Sequence, residues 1–278
     1  MRSFVDRVAA ITGAASGIGR ALALELAAER CHLALSDVDE RGLAETARLA
    51  GEHGVRVGTA RIDVARRDEV HRWADAVARE HGRVNLVFNN AGVGLGATIE
   101  AMSYDDFEWL MGIDFWGVVH GTKAFLPHLK ASGDGHVVNV SSIFGLVGIP
   151  TQGAYNAAKF AVRGFTEALR EELDIAGVAV SATCVHPGGV KTNIAQMARL
   201  DPSIGDVTGG DVDAARAGFE RVALTTPRAA ARKILRGVRR KARRVLVGGD
   251  AYVVDLMQRL MPARYQVLVA AFSRRIGR

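Results

Sequence analysis

The chain has 278 residues, of which 49% are hydrophobic and 24% charged, as in ordinary soluble globular proteins. It has no uncharged apolar run of about 18 residues and no basic-then-apolar leader, so the sequence indicates neither a membrane-spanning helix nor a signal peptide. Its two cysteines, Cys31 and Cys184, lie far apart in apolar runs. That placement favours two buried free thiols and a cytoplasmic location over a disulfide.

The net charge of +6 is unevenly distributed. Residues 228–278 contain 14 Lys and Arg against 2 Asp and Glu, so this tail carries +12. The rest of the chain holds 22 basic and 28 acidic side chains and carries −6. Three interpretations of the tail are open: packing on the core or on a second subunit, peripheral contact with an anionic membrane, and nucleic-acid binding. The last is disfavoured because no nucleic-acid-binding motif is present, and we predict no nucleic-acid partner.

Apolar runs of strand length alternate along the chain with segments of helical period. Near-continuously apolar strands indicate a parallel sheet buried on both faces, and their alternation with helices indicates βαβ units. The predicted strands are 7–12, 32–37, 55–63, 84–92, 136–142, 178–188 and 243–248, and the predicted helices are 18–30, 39–51, 66–81, 104–131 and 152–176.

These elements predict an α/β fold with a doubly wound parallel sheet of about seven strands. One domain covers residues 1–248 and includes a substrate loop at about 193–227. Residues 200–214, LDPSIGDVTGGDVDA, form its most polar and glycine-rich part and are predicted as loop. A basic, amphipathic helical extension, residues 249–278, follows the domain.

The first strand is followed by the glycine-rich sequence TGAASGIG at 12–19. A glycine-rich loop between a strand and a helix allows a tight turn and close approach of a pyrophosphate to the helix N-terminus. The candidate contacts are Gly13, Ser16, Gly17, Ile18 and Gly19. A plain strand-to-helix turn is the alternative interpretation.

The second strand ends at Asp37, close to the offset from the glycine-rich loop at which dinucleotide-binding folds place an acidic residue. A carboxylate at this place can accept hydrogen bonds from the adenosine ribose hydroxyls and repels a 2′-phosphate. No Arg or Lys stands at Ser16 or Val38 to bind that phosphate. The sequence therefore favours NAD over NADP, with a helix-capping aspartate as the alternative.

The sequence AYNAAKF at 154–160 places Tyr155 and Lys159 four residues apart in a good helix former. Residues at this spacing share one helix face, so the two polar tips point the same way. A tyrosine with a pKa of about 10 is a poor base at neutral pH. A neighbouring ammonium favours the phenolate, so we expect Lys159 to lower the pKa of Tyr155.

TGAASGIG, NNAG at 89–92, a serine at 142, YNAAK at 155–159 and PGGVKT at 187–192 occur in this order. Together they resemble the short-chain dehydrogenase/reductase family, over about residues 5–195. The resemblance implies a Rossmann-like domain, hydride transfer between NAD(P)(H) and an alcohol or carbonyl, and a homodimer or homotetramer. It also implies that Ser142, which precedes Tyr155 at the family's spacing, hydrogen-bonds the substrate oxygen.

The resemblance implies further contacts with the cofactor. Lys159 and Tyr155 would contact the cofactor near the nicotinamide ribose. Asn89, in contrast, is expected to be structural. The remaining implied positions line the adenine, flank the cofactor or meet the carboxamide: Asp63, Val64, Asn90, Ala91, Gly92, Pro187, Gly188, Val190 and Thr192.

One position departs from the family pattern. Many members carry an asparagine that holds a water in a proton relay, and here Asp114 occupies that place. An ionised aspartate accepts hydrogen bonds but donates none. It can still hold water, sit protonated, alter this relay step, or serve helix geometry alone. We include it among the catalytic candidates.

The eight histidines are scattered, with no HxxxH or Cys/His cluster, so no catalytic metal is predicted. His186 is expected to be structural. Segments 93–97 and 143–152 contain no Lys or Arg, which favours a neutral, apolar alcohol or ketone, either lipid-, steroid- or terpenoid-like or small and acetoin-like. The apolar side chains expected at the pocket are Leu95, Ile143, Phe144, Leu146, Val147, Ile149, Ile194 and Met197. A catalytically silent NAD-binding sensor or scaffold is the alternative function.

Overall fold

The computed structural model describes residues 3–276, without the side chains at positions 215, 219, 220, 272 and 274–276. In this part of the chain the strands are β1 (Val8–Thr12), β2 (His32–Asp37), β3 (Val57–Arg61), β4 (Leu86–Asn89), β5 (Leu95–Gly96), β6 (Gly135–Val140), β7 (Val180–Pro187), β8 (Arg199–Leu200) and β9 (Arg244–Val247).

The α-helices of the same part fill the intervals between the strands and follow the last one. They are α1 (Gly17–Ala28), α2 (Glu40–Gly51), α3 (Arg67–His81), α4 (Tyr104–Met111), α5 (Gly117–Ala131), α6 (Gly153–Ile175), α7 (Ile204–Thr208), α8 (Val212–Val222), α9 (Pro227–Arg239), α10 (Gly249–Leu260) and α11 (Tyr265–Ile276).

Seven strands form one parallel sheet in the order β3-β2-β1-β4-β6-β7-β9. Every residue of β1, β4, β6 and β7 is buried, which explains why these strands are near-continuously apolar. The strand order reverses direction between β1 and β4, as in Rossmann-like folds, whose ligands bind beyond the strand ends at this point. The predicted doubly wound sheet is confirmed.

Helices cover both faces of the sheet, and alternate residues along each strand face opposite layers. On one face, Ile11 and Leu33 pack with side chains of α1, α2 and α9. On the other, Ala10 and Val87 pack with α3, α5 and α6. Because both faces are closed, polar chemistry is confined to the edge at which the strands end.

The predicted helix 104–131 is interrupted by one wider turn. Residues Gly112–Trp116 form a π-helical turn between α4 and α5. Such turns are rare, and those that occur are often found at functional sites. This turn contains Asp114, whose side chain is fully buried.

The prediction that residues 200–214 form a loop is wrong. The segment contains α7 and the start of α8, and β8 pairs with β5 in a small parallel sheet. Ile204 is buried and anchors α7. The polar local sequence does not predict this helix. It is stabilised by the packing of one apolar side chain, Ile204, in the folded protein.

The first part of the basic tail belongs to the central domain. Helix α9 packs on α1, and β9 is the seventh strand. Glu25 on α1 accepts from Arg228 at 2.6 Å and from Arg232 at 2.8 Å, which balances part of the charge. Of the interpretations of the tail, packing on the core is therefore confirmed for residues 228–248. In the described part of the chain, no helix is both long and apolar enough to cross a membrane.

Candidate active site

The glycine-rich loop passes from β1 into α1 with backbone conformations that favour glycine. Gly13 and Gly17 have φ angles of +65° and +53°. A Cβ atom on Gly19 would lie 2.0 Å from the carbonyl oxygen of Gly13, so no larger residue fits there. Ser16 is exposed at the start of α1, beside Ile18 on its first turn. The loop therefore leaves the helix N-terminus open for a phosphate group.

Side-chain hydrogen bonds join this loop to the end of β4. The Thr12 hydroxyl accepts from the N–H groups of Asn90 and Ala91, both at 3.0 Å. The Asn90 amide donates to the Thr12 carbonyl at 3.0 Å and to the Gly13 carbonyl at 3.2 Å. The loop and the NNAG segment thus form one rigid floor at the switch point.

Asn89 is directed away from this floor and into the protein. Its amide donates to the side chains of Asn139, at 2.8 Å, and Thr122, at 3.1 Å. The expected structural role of Asn89 agrees with these contacts.

Asp37 lies at the end of β2, as predicted, and faces the glycine-rich loop. One carboxylate oxygen accepts from the Ala15 N–H at 2.9 Å and the other from the Asp39 N–H at 3.0 Å. These bonds fix the carboxylate between the loop and the start of α2. A negative charge there favours ribose hydroxyls over a ribose phosphate.

Sequence reasoning missed Arg20, which braces the same loop from α1. Its guanidinium donates to the carbonyl oxygens of Ala15 and Gly42 and to the Thr46 hydroxyl. An arginine immediately after the GIG sequence was the only sequence signal, and two of its partners, Gly42 and Thr46, lie on a separate helix, α2.

Asp63 and Val64 follow β3 at the same edge of the sheet. The Asp63 carboxylate accepts from the Ala65 N–H at 3.0 Å. Val64 is buried against Gly117, where a Cβ atom would lie 2.7 Å from the Val64 side chain. Because β2 and β3 are neighbours in the sheet, with Asp37 paired with Arg61, the two residues lie at the same end of the sheet as Asp37.

Tyr155 and Lys159 lie on one face of α6, as predicted. The Lys159 ammonium nitrogen is 5.3 Å from the centre of the Tyr155 ring. The Ser142 hydroxyl, two residues beyond the end of β6, lies near enough to the tyrosine to lower its pKa. It also accepts from the Phe144 N–H at 3.1 Å. The structure therefore brings the three predicted groups together.

Asp114 completes this group through contacts that the sequence did not predict. Its Oδ2 lies 3.0 Å from the Lys159 Nζ, and its Oδ1 accepts from the Val93 N–H at 2.8 Å. The side chains of both members of the ion pair are at most 4% exposed. Burial raises the pKa of Asp114 above its ordinary value, while attraction to the Lys159 ammonium and the hydrogen bond from Val93 oppose that rise.

Gly92 lies against this ion pair. A Cβ atom there would be 3.3 Å from an Asp114 oxygen and 3.5 Å from the Lys159 nitrogen. The glycine of NNAG thus leaves room for the charged pair.

The charge state of the site differs from the expectation. Burial raises the pKa of Tyr155 above its ordinary value, and the Asp114 carboxylate adds to the rise, while Lys159 opposes it. Burial disfavours the Lys159 charge, but attraction to Asp114 and Tyr155 raises its pKa. Lys159 acts in the predicted direction. The predicted net lowering of the Tyr155 pKa is nevertheless wrong, because burial of the phenol, together with the Asp114 carboxylate, outweighs the effect of Lys159.

His186 contacts the backbone of Ser142. The ring is fully buried, its Nδ1 is 3.0 Å from the Ser142 carbonyl oxygen, and burial lowers its pKa to about 4. The ring is therefore neutral at physiological pH and hydrogen-bonds to the Ser142 backbone, consistent with the structural role expected for it.

The segment after β7 reaches across to the glycine-rich loop. A Cβ atom on Gly17 would lie 3.0 Å from the Thr192 methyl carbon. Pro187 ends β7, and Val190 is buried beside Thr225. The segment therefore closes the opposite side of the candidate cofactor site.

Asp250, at the start of α10, was missed by sequence reasoning. Its Oδ2 accepts from the Gly189 N–H at 2.6 Å, and a Cβ atom on Gly188 would lie 2.1 Å from that carboxylate. Gly188 is thus required for close approach of the aspartate. An aspartate directly after two glycines was its only sequence signal.

The expected substrate pocket is only partly open. Leu95, Leu146 and Val147 are buried, with Leu146 packed against Leu246 and Ala251. The expectation that these three line an open pocket is not met. The other expected lining residues retain accessible surface: Ile143, Phe144, Ile149, Ile194 and Met197.

Within the described residues, no group of three His, Cys, Asp or Glu side chains is arranged to hold a metal ion. Cys31 and Cys184 are both buried and free, as predicted. The titratable groups that contact one another at the candidate site are Tyr155, Lys159 and Asp114.

Comparisons with known proteins agree with this geometry. The chain is 52% identical over 272 residues to a putative oxidoreductase, SadH, of Mycobacterium tuberculosis, covering 98% of this chain and 96% of that protein. It is 32% identical to a 3-ketodihydrosphingosine reductase of Bacteroides thetaiotaomicron, over 73% of this chain and 70% of that protein.

A solved structure shares nearly the whole fold. A short chain dehydrogenase/reductase from Burkholderia phymatum, in complex with NAD, superposes with a TM-score of 0.86 at 31% identity, covering 96% of this chain and 97% of that chain. The family model described as short chain dehydrogenase matches residues 7–203. With its strand order, glycine-rich loop and Ser-Tyr-Lys group, this chain is an oxidoreductase of the short chain dehydrogenase family.

Proposed function

We propose that the protein transfers hydride between NAD and the CH–OH or C=O group of an apolar secondary alcohol or ketone. The observation that carries this proposal is the intact group of Ser142, Tyr155 and Lys159 beside the NNAG segment, which is hydrogen-bonded to the glycine-rich loop. A scaffold would have no chemical need for all three. When bound, the nicotinamide accepts or supplies the hydride.

The protein's own residues manage the proton. Ser142 hydrogen-bonds the substrate oxygen, and Tyr155 donates a proton to that oxygen in reduction or removes it in oxidation. Because burial and Asp114 raise its pKa, Tyr155 is protonated in the free protein at neutral pH. This charge state suits reduction at neutral pH, and oxidation should improve as the pH rises.

The proposed cofactor preference rests on Asp37. Its carboxylate is fixed by two backbone N–H groups at the edge of the glycine-rich loop. Repulsion of a 2′-phosphate by this charge favours NAD over NADP. The Burkholderia relative in complex with NAD supports the same preference.

The proposed substrate is apolar and uncharged. Segments 93–97 and 143–152 carry no ionisable side chain, and Phe144 packs edge-on against Tyr155 with 5.7 Å between ring centres. The reductase relative named for 3-ketodihydrosphingosine supports a lipid-like ketone or alcohol. Steroid-like, terpenoid-like and small acetoin-like substrates belong in the same test.

The test is NADH fluorescence during turnover with secondary alcohols of rising chain length, steroids, and the matching ketones, with NAD and NADP in parallel. We expect NAD-linked turnover that strengthens with apolar size. The Tyr155→Phe variant should lose about 10²- to 10⁴-fold in turnover but still bind NADH. Cofactor binding without turnover on any substrate would instead support the silent sensor or scaffold.

We also propose a cytoplasmic homodimer or homotetramer. Trp116 and Phe160, on elements that pack against each other, are 50% and 40% exposed, which is unusual for such large apolar side chains. Light scattering after size-exclusion chromatography measures the mass directly. A monomer at micromolar concentration would contradict the proposal.

A further inference from the structure

Helix α10 presents a row of large apolar side chains to solvent. Tyr252, Val253, Leu256 and Leu260 are 50%, 68%, 57% and 72% exposed. Successive residues of an α-helix are rotated by about 100°, so these four lie within an arc of about 100°. Ala251 and Val254, on the other side of the helix, pack against the domain. The exposed row is therefore a continuous apolar face.

A basic cleft of about 400 Å³ adjoins this face. Lys233, Arg236, Arg240 and Arg244 line it, and Tyr252 of α10 forms part of its wall. The Lys233 ammonium lies 5.4 Å from the centre of the Tyr252 ring. The apolar face and the basic cleft therefore share a residue and form one surface.

Most of the positive charge in the cleft is not balanced by the protein. Arg244 pairs with Asp255 at 2.6 Å. Among the described side chains, Lys233, Arg236 and Arg240 form no ion pair, whereas the neighbouring Arg228, Arg232 and Arg239 all pair with Glu25 or Glu29. Three cations are thus left available for an external anion.

We propose that this surface docks on an anionic phospholipid membrane. The apolar side chains of α10 enter the interface, and the cleft binds lipid phosphate groups. This combination of an apolar helix face with flanking Lys and Arg is what binds helices to anionic bilayers without spanning them. The proposal goes beyond the proposed reaction and does not depend on it.

The charge distribution favours a membrane over a second copy of the chain. A symmetric dimer through this face would bring the unpaired Lys233, Arg236 and Arg240 of each copy toward their counterparts, and like charges repel. The tail carries +12 and the rest of the chain carries −6. An anionic surface therefore attracts this face and repels the rest of the molecule, which fixes one orientation.

The test is co-sedimentation of the full-length protein with phosphatidylcholine vesicles, with and without phosphatidylglycerol. We expect binding to the anionic vesicles, weak binding to the neutral ones, and weaker binding as salt is added. Each basic side chain at such a surface changes the partition coefficient by about fivefold. The Arg236→Gln/Arg240→Gln variant should therefore bind about 25-fold more weakly.

Matched variants separate docking from general charge and from folding. Arg72→Gln/Arg79→Gln removes two exposed charges from α3 and should leave binding unchanged. Leu256→Gln should weaken binding, whereas Ile175→Gln, at an 87% exposed apolar position on α6, should not. Thermal unfolding of every variant checks that the fold is intact.

Three results would overturn the proposal. One is no binding of the full-length protein to anionic vesicles. Another is binding that Arg236→Gln/Arg240→Gln and Leu256→Gln do not reduce more than their controls. The third is a fall in molecular mass of Leu256→Gln in solution without loss of vesicle binding, which would assign the face to a second copy of the chain.

Discussion

Replacing Asp114 with asparagine tests the account of the buried ion pair. The aspartate presents two acceptor oxygens to two donors, the Lys159 ammonium at 3.0 Å and the Val93 N–H at 2.8 Å. An asparagine has one acceptor oxygen, and its NH₂ group must then face one of these donors. One of the two contacts is therefore lost, whichever way the amide is turned.

The loss of stability caused by replacing Asp114 with leucine or with asparagine can be estimated from the geometry. At 3.0 Å and an effective dielectric constant of about 20, the attraction between the charges is about 5–6 kcal/mol. Desolvation offsets part of it, and removing one partner of a buried pair destabilises a protein by about 3–5 kcal/mol. At about 2–4 °C for each kcal/mol, Asp114→Leu should lower the melting temperature by roughly 6–20 °C. Asp114→Asn should cost about 1–3 kcal/mol.

Asp114→Asn should also shift the pH dependence of turnover. Asp114 raises the pKa of Tyr155, so its neutralisation lowers that pKa. Alcohol oxidation requires the unprotonated tyrosine, so the rising limb of kcat/KM against pH should shift to lower pH in Asp114→Asn. Asp105→Asn, at an exposed position on α4, is the control. A limb that stays in place or moves to higher pH would refute the reasoning.

Three further predictions concern the cofactor site and stability. Asp37→Asn removes the charge and one of the two acceptor oxygens. It should raise kcat/KM with NADP relative to NAD by about tenfold, the equivalent of about 1.4 kcal/mol; an unchanged ratio would contradict the role of the carboxylate. Gly19→Ala places a carbon 2.0 Å from the Gly13 oxygen and should abolish NADH binding in fluorescence titration, whereas Gly51→Ala, with free space around it, should stabilise by about 0.5–1 kcal/mol. Burial lowers the pKa of His136 to about 3, so the unfolded state binds more protons below about pH 6.5 and the free energy of unfolding should fall by up to about 1.4 kcal/mol for each pH unit toward pH 3. His136→Gln should reduce that slope in denaturant titrations, and equal slopes would count against the assignment.

The strands could be predicted because their signal is local. A largely apolar run such as that of β7 needs no partner to be recognised. Six strands of the main sheet lie within the predicted segments, and β6 begins one residue before its segment. The alignment of Tyr155 with Lys159 is local for the same reason, since one helix carries both. Such features depend on sequence spacing alone.

The remaining features depend on contacts between distant segments. The π-helical turn does not interrupt the apolar pattern of 104–131, so the sequence gives no sign that Asp114 is directed toward Lys159, which lies on a later helix. Helix α7 is held by the burial of Ile204, and Leu146 by Leu246. Periodicity cannot detect contacts that only the folded chain creates.

The C-terminal helices supply hydrogen-bond acceptors to two loops of the candidate active site. Asp250 on α10 accepts the Gly189 N–H at 2.6 Å, and the Tyr265 hydroxyl on α11 accepts the Gly148 N–H at 3.1 Å. A chain truncated at residue 248 would retain every strand of the main sheet but lose both acceptors. The buried Gly189 amide alone would then cost about 1–3 kcal/mol. Truncation from the C-terminus would therefore disturb the candidate active site before it disturbed the main sheet.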